Sequence, residues 1–227
     1  MLHSIQQQYG KQLSASDGTI GHLRDFYFDD KHWAVRYLVA DTGRWLPGRL
    51  VLISPYALRH LSREGRTLFV DLTRKQIEDS PPIDEHRPVS RQHEVEYYRH
   101  YGYLYYAESW PLWGLAGYPV LVPPPPAANS EAPQGDAHLR NTQNLTGYYI
   151  EATDGVIGKV ADFMLDDMTW AIDKIVAECG HWFSGMEMLI PTVKVSRISY
   201  DQSTIYVDMT KAALIEAAKQ PATETAV

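Results

Sequence analysis

Hydrophobic and polar positions along this chain form short β-branched or alternating stretches, cut by turns rich in Gly, Asp and Ser. Gln12–Ser14 reads as a short strand, and Ser16-Asp17-Gly18 as a turn whose glycine tolerates positive φ. Thr19–Phe28 reads as a strand in which Gly21 marks a bulge or a close backbone approach. After a turn at Asp29-Asp30-Lys31-His32, Trp33–Ala40 and Leu50–Ile53 are further strands, separated by the Gly43–Gly48 loop that holds Trp45. A strand at Tyr56–Leu61, a turn at Arg63-Glu64-Gly65 and a strand at Thr67–Leu72 close the set. Five or six short strands at this spacing predict a small β-barrel. Thr73, with Gln76 three residues on, then starts a helix through a capping box, and Pro81-Pro82 stops it.

The same order returns 137 residues later. Gly10–Ile77 aligns without a gap on Gly147–Leu214, and 24 of the 68 positions are identical. DGTIGHLRDFYFDDKHWA from Asp17 to Ala34 becomes DGVIGKVADFMLDDMTWA from Asp154 to Ala171, so the chain is a duplication. Thr210 caps the second helix, Lys211–Lys219, which is built from good helix formers. The shared positions are turn glycines, acidic turn residues and apolar or aromatic residues, the set that a duplicated β-domain retains. The expected fold is therefore mainly β: two tandem small barrels, with short helices after each barrel and in the linker. The expected domains are 1–77 (repeat 1), 78–139 (linker), 140–220 (repeat 2 with its helix) and 221–227 (a disordered tail).

The linker has no repeat partner. Ser90 can N-cap a helix from Arg91 to about Tyr101, with Gly102 as its C′ residue. An aromatic run follows, Tyr103-Leu104-Tyr105-Tyr106 and then Trp110-Pro111-Leu112-Trp113. Pro123–Pro126 and residues 127–136 read as a polyproline spacer running into disorder. One reading of Tyr97–Tyr118 packs the rings over a barrel or into a seam between barrels. A second makes them a surface for a partner protein or a second copy of the chain. A third docks them on a membrane surface. The candidate partner-binding residues are Tyr103, Tyr105, Trp110 and Trp113.

The net charge of −7 argues against binding nucleic acid over the whole surface. It is unevenly spread, since residues 10–77 hold 11 basic and 7 acidic residues and residues 147–214 hold 5 and 10. Opposite signs on homologous units can attract within a chain or across a homodimer; the alternative reading is independent drift of the two surfaces. One cysteine, Cys179, leaves no intrachain disulfide and fits a reducing compartment. No stretch approaches 18 apolar residues, and Met1–Ser16 lacks the pattern of a secretion signal. The expected location is cytoplasmic, with peripheral contact at an inner membrane as a further expectation.

Few residues point to chemistry. Asp29-Asp30 and Asp166-Asp167 fit hairpin turns better than Ca²⁺ ligation, which needs six to eight oxygens. Asp25 and Asp162 are expected to accept backbone donors near a bulge. His86, His93 and His100 step by seven and lack the closer pairing of zinc ligands. Glu94 and Glu96 do not face each other on a helix. The expectation is no catalytic residue, no cofactor and no metal. Trp33, Trp170, Trp45 and Trp182 are expected to pack in the core or at a barrel mouth.

The DG-x-I-G-x-x-x-DF-x-x-DD-x-x-WA segments, Trp45-Leu46-Pro47-Gly48-Arg49 and Leu52-Ile53-Ser54-Pro55 resemble the PRC-barrel family. That family takes in the cytoplasmic domain of the photosynthetic reaction-centre H subunit and the C-terminal domain of a bacterial ribosome maturation factor. The resemblance covers both repeats. It implies a non-enzymatic protein-binding adaptor, associated by analogy with a photosynthetic or membrane energy-transducing complex. The alternatives it leaves are an RNA- or ribosome-associated assembly factor and a small-molecule or metal-binding module. Repeat 2 departs from its twin where Pro47 becomes Ser184 and Ser54-Pro55 becomes Pro191-Thr192, so the two repeats need not bind alike.

Overall fold

The computed structural model describes residues 1–58, 61, 65–81, 97, 99–102, 139–180 and 187–219. In chain order the strands are β1 (Leu2–Ser4), β2 (Gln12–Ala15), β3 (Gly18–Asp29), β4 (Ala34–Asp41), β5 (Leu50–Ile53) and β6 (Thr67–Phe69). After helix α1 (Arg74–Glu78) come β7 (Leu139–Asn141), helix α2 (Thr142–Leu145), β8 (Tyr149–Ala152) and β9 (Gly155–Asp166). The chain continues as β10 (Ile172–Cys179), β11 (Glu187–Pro191), β12 (Val195–Ser199), β13 (Thr204–Val207) and helix α3 (Lys211–Lys219). The fold is mainly β, with two sheets.

Two compact units divide the chain. Unit 1 is Met1–Tyr9, His32–Val35 and Arg140–Val227, and unit 2 is Gly10–Lys31 and Arg36–Leu139. The sheet of unit 2 runs β5-β4-β3-β2-β6, and that of unit 1 runs β11-β10-β9-β8-β13-β12 with β1 added on β9. The repeat is exact at the level of register. Gln12 lies parallel to Thr67 in one sheet, and Tyr149 parallel to Thr204 in the other. In each sheet the hairpin bulges at one equivalent step, Leu13/Ser14 and Ile150/Glu151. The inward sides are apolar and closed to water, with Leu13, Ile20, Phe26 and Ile53 in unit 2 and Ile150, Phe163, Ile175 and Ile205 in unit 1.

Gly21 and Gly158 explain why glycine recurs inside the longest strand of each repeat. A Cβ on Gly21 would stand 1.9 Å from the Asp41 carbonyl oxygen, and one on Gly158 would stand 2.1 Å from that of Glu178. Neighbouring backbone occupies the space, so the expected close approach is present twice.

The Trp-Ala dipeptide differs from its sequence reading. Trp33 does not begin a strand; it ends the hairpin turn at φ 57°, and Trp170 does the same at φ 56°. The left-handed region costs an L-residue roughly 1–2 kcal/mol, here accepted to bury an indole, since each tryptophan is 8 % exposed. Within unit 1 these turns pair antiparallel through Ala34 and Ala171. The Val35 N–H donates to the Trp170 carbonyl at 2.8 Å, and the Ile172 N–H to that of Trp33 at 2.7 Å. The ring of Trp33 lies 6.5 Å from that of Phe163.

Met1–Tyr9, for which no element was expected, supplies β1, a short 3₁₀ turn and a buried Ile5 to unit 1. Asp162 holds this segment, accepting from the backbone N–H groups of Gln6 and Phe163 and from the Ser4 hydroxyl. Asp167 accepts from the Met1 amine at 2.6 Å and lies 3.0 Å from His3 Nε2. Burial pushes the Asp167 carboxyl up, but its bonds to the amine and His3 outweigh this and hold it below its ordinary value.

The strand expected over Tyr56–Leu61 opens, in its described part, as a 3₁₀ turn at Pro55–Ala57 followed by an isolated bridge from Leu58 to Val70. Ser54 caps that turn by accepting from the Tyr56 N–H, and Pro55 sits at its start. The capping box of Thr73 and Gln76 is formed, and Thr210 Oγ1 accepts from the Ala213 N–H. The expected helix ending at Gly102 is described at Tyr97 and at Arg99–Tyr101, with Gly102 at φ 69°.

Candidate partner-binding face

Strand β5 is LVLI, buried at all four positions, a continuous apolar run of the kind that a strand covered on both faces requires. Its inner residues, Val51 and Ile53, belong to the core of unit 2. Its outer residues, Leu50 and Leu52, meet Tyr37 and Val39 of β4, and this second apolar layer is closed by Tyr97 and Leu139. Tyr27 and Tyr101 pack against its margin.

Tyr97 is the keystone of this layer. It is 1 % exposed, its ring stands edge-on to Tyr37 at 5.2 Å, and the ring of Tyr101 lies tilted against it at 4.8 Å. Its hydroxyl accepts from the Ser54 backbone N–H at 2.7 Å. That N–H is at the end of β5, and a buried amide donor must find a partner. His100 joins the same helical turn to α1 through the Gln76 carbonyl at 2.9 Å. Arg49 donates to the carbonyls of Glu78 and Ser80 at the end of α1, satisfying acceptors that the helix leaves open.

Among the described residues, unit 1 shows no equivalent of this layer. The residues at the places of Tyr37, Leu50 and Leu52 are Lys174, Glu187 and Leu189, with Glu187 exposed and Leu189 45 % exposed. Pro191 stands where Ser54 does. Proline has no N–H, so no hydroxyl is needed there.

Tyr103, Tyr105, Trp110 and Trp113 lie outside the described residues, as do His86, His93, Glu94, Glu96, His181 and Trp182. The structure therefore brings together the root of the aromatic stretch, Tyr97 and Tyr101. Sequence reading missed Tyr27, Tyr37 and Ser54 as a docking face. The signal was present in the aligned repeats, where tyrosine and leucine in one copy become lysine and glutamate in the other.

The remaining candidates have structural partners. Asp29 accepts from the Lys31 N–H and lies 3.6 Å from Arg36; Asp166 accepts from the N–H groups of Met168 and Thr169. Both are hairpin turns, as expected. Asp25 accepts from the Phe26 N–H. Trp45 is half-buried beneath the Arg74 guanidinium, 4.5 Å from its ring centre. Cys179 is buried, which pushes its thiol up, away from the reactive thiolate. Among the described residues, no group of three or more His, Cys, Asp or Glu is placed to hold a metal ion. No described helix is long and apolar enough to cross a membrane.

These sheets and their strand order define a mainly β protein built on a repeated small domain. Residues 143–214, which carry the second copy, match the PRC-barrel domain. No curated protein matches the chain.

Proposed function

We infer that the chain is a non-enzymatic, protein-binding scaffold made of two PRC-type domains in tandem. The first copy is assigned on its 24 shared positions and common strand order. The described residues common to both repeats act as turns, close approaches and buried rings, which fits a module maintained for its shape. The observation that carries the reading is the Tyr97 anchor. It fixes Tyr97 and Tyr101, the root of the aromatic stretch, to unit 2. Tyrosine and tryptophan in such a stretch suit a protein interface, where they join large apolar area to a polar handle. Membrane complexes of the reaction-centre kind are a setting that rests on family analogy alone.

The test is affinity capture from soluble and membrane fractions, with the full chain as bait. The expected result is a specific protein partner lost when Tyr103, Tyr105, Trp110 and Trp113 become Ala in a chain that melts as before. Capture that is unchanged by those substitutions would remove the aromatic stretch from the reading. Ribosomal components with a steep salt dependence would replace it with the assembly-factor alternative.

A further inference from the structure

We propose that the edge of β9 in unit 1 is a strand-acceptor site, which takes Met1–Tyr9 from a second copy of the chain to give a strand-swapped dimer. The observation behind it is an exchange already made within one chain. The repeat offset of 137 residues continues below Gly10, where Leu2, Gln6 and Gly10 return as Leu139, Gln143 and Gly147. β1 (Leu2–Ser4) and β7 (Leu139–Asn141) are therefore the same lead strand of the two repeats, matched end to end. Yet β1 pairs with β9, and β7 pairs with β3. Each sheet is extended by the lead strand of the other repeat.

The acceptor edge grips its strand at several points. β1 runs antiparallel to β9, with Leu2 opposite Asp166 and Ser4 opposite Met164. The Ile5 N–H donates to the Phe163 carbonyl at 2.9 Å, and the Ile5 side chain is buried. Asp162 accepts from the Gln6 N–H at 2.9 Å and from the Ser4 hydroxyl. Asp167 lies 3.0 Å from His3 Nε2, and its own N–H donates to the Met1 carbonyl at 3.2 Å. Both acids belong to the Asp-Phe and Asp-Asp pairs that recur in repeat 1 at Asp25 and Asp30.

The attachment of the segment is what makes it exchangeable. The boundary between the units falls between Tyr9 and Gly10. Met1–Tyr9 is thus tied to unit 2 by a peptide bond and rests on unit 1 through non-covalent bonds alone. Gly10 at φ 74° and Gly147 at φ 87° place the same left-handed residue after each lead strand. A Cβ at either would meet nothing within 4 Å, so each glycine sits in open space. None of the bonds at the β9 edge distinguishes a segment of its own chain from that of another. Reciprocal exchange between two copies therefore keeps every contact and costs mainly the entropy of association.

Ser4 and Met164 form the pair between two hydrogen-bonded steps. Cα atoms of such pairs come within about 4.5 Å, inside the span of a disulfide. The experiment uses the full chain with Cys179→Ala, one sample carrying Ser4→Cys and another Met164→Cys. The two are mixed in urea, refolded together and oxidised with glutathione disulfide. The expected product has twice the chain mass, joins Ser4→Cys of one copy to Met164→Cys of the other, and grows with protein concentration. Met168→Cys, at an 85 % exposed site outside this register, replaces Met164→Cys as the measure of random cross-linking. A chain with both Ser4→Cys and Met164→Cys, refolded when dilute, is expected to close the bond internally, as evidence that both substitutions are accepted. Linked dimer no more abundant than in the Met168→Cys control at every concentration would overturn the proposal, whether or not the double variant closes its own bond.

Discussion

Unit 2 covers the outer face of β4 and β5 with a second apolar layer, while the same face of β10 and β11 in unit 1 carries Lys174 and Glu187 beside a buried Val176 and an exposed Leu189. The inner cores of the two are alike in register and burial. The difference is made by few residues: Tyr37, Leu50 and Ser54 against Lys174, Glu187 and Pro191. Each set is self-consistent. Where a tyrosine arrives from the linker, an amide donor awaits it; where none arrives, proline removes the donor. One framework thus receives the linker's helical turn in unit 2 through residues that unit 1 replaces, and the choice lies on the outer face.

The largest expected effects fall where the two units are the same. Gly21→Ala and Gly158→Ala each force a Cβ into backbone, and each is expected to cost upwards of about 4 kcal/mol in urea denaturation. A mild result at one of them would break the equivalence of the hairpins. Tyr97→Ala comes next, with about 3–5 kcal/mol lost from unit 2, detected as an early transition reported by amides of Leu50–Ile53. Leu52→Ala is expected to cost about 2–5 kcal/mol, whereas Leu189→Ala, at the equivalent exposed position, should stay within about 0.5 kcal/mol.

Tyr97→Phe removes only the hydroxyl and is expected to cost about 1–3 kcal/mol by leaving the Ser54 N–H unpaired. Ser54 has φ −67°, a value proline adopts. In a Ser54→Pro background the Tyr97→Phe penalty should therefore shrink, and a double-mutant cycle with coupling near zero would sink the account. The smallest effect concerns pH. Because the folded Asp167 carboxyl lies below its ordinary value of 3.8, its contribution is present above that value and fades as pH falls through the folded one. Asp167→Asn should flatten the acid limb of a stability–pH curve and leave the neutral region nearly level.

Much of the fold could be read from the repeat. Turn chemistry placed the hairpins, Gly21 announced its close approach, and Thr73 with Gln76 announced its helix. Three features stayed hidden for physical reasons. Trp33 and Trp170 adopt a conformation that side-chain type argues against, because burial of the ring outweighs the local cost. Leu2–Ser4 is too short to show a period and is a strand only because β9 offers it an edge. Tyr56 follows a proline within an apolar run, and the Ser54 cap turned that run into a 3₁₀ turn. For the candidate site, composition drew attention to Tyr103–Trp113. The anchoring role of Tyr97 required its hydrogen-bond partner to be seen, and that partner is a backbone group no sequence pattern marks.

Unit 1 draws on three stretches that are far apart along the chain, and this imposes an order of events during synthesis. Domains tend to fold from the N-terminus as they emerge. Here Met1–Tyr9 precede unit 2 along the chain but belong to the unit finished after it. Unit 2 is complete once Leu139 has left the ribosome, whereas Ile5 and His3 must wait for β9 to be translated. A nascent chain arrested after Leu139 should hold a folded unit 2 with Met1–Tyr9 still open to protease.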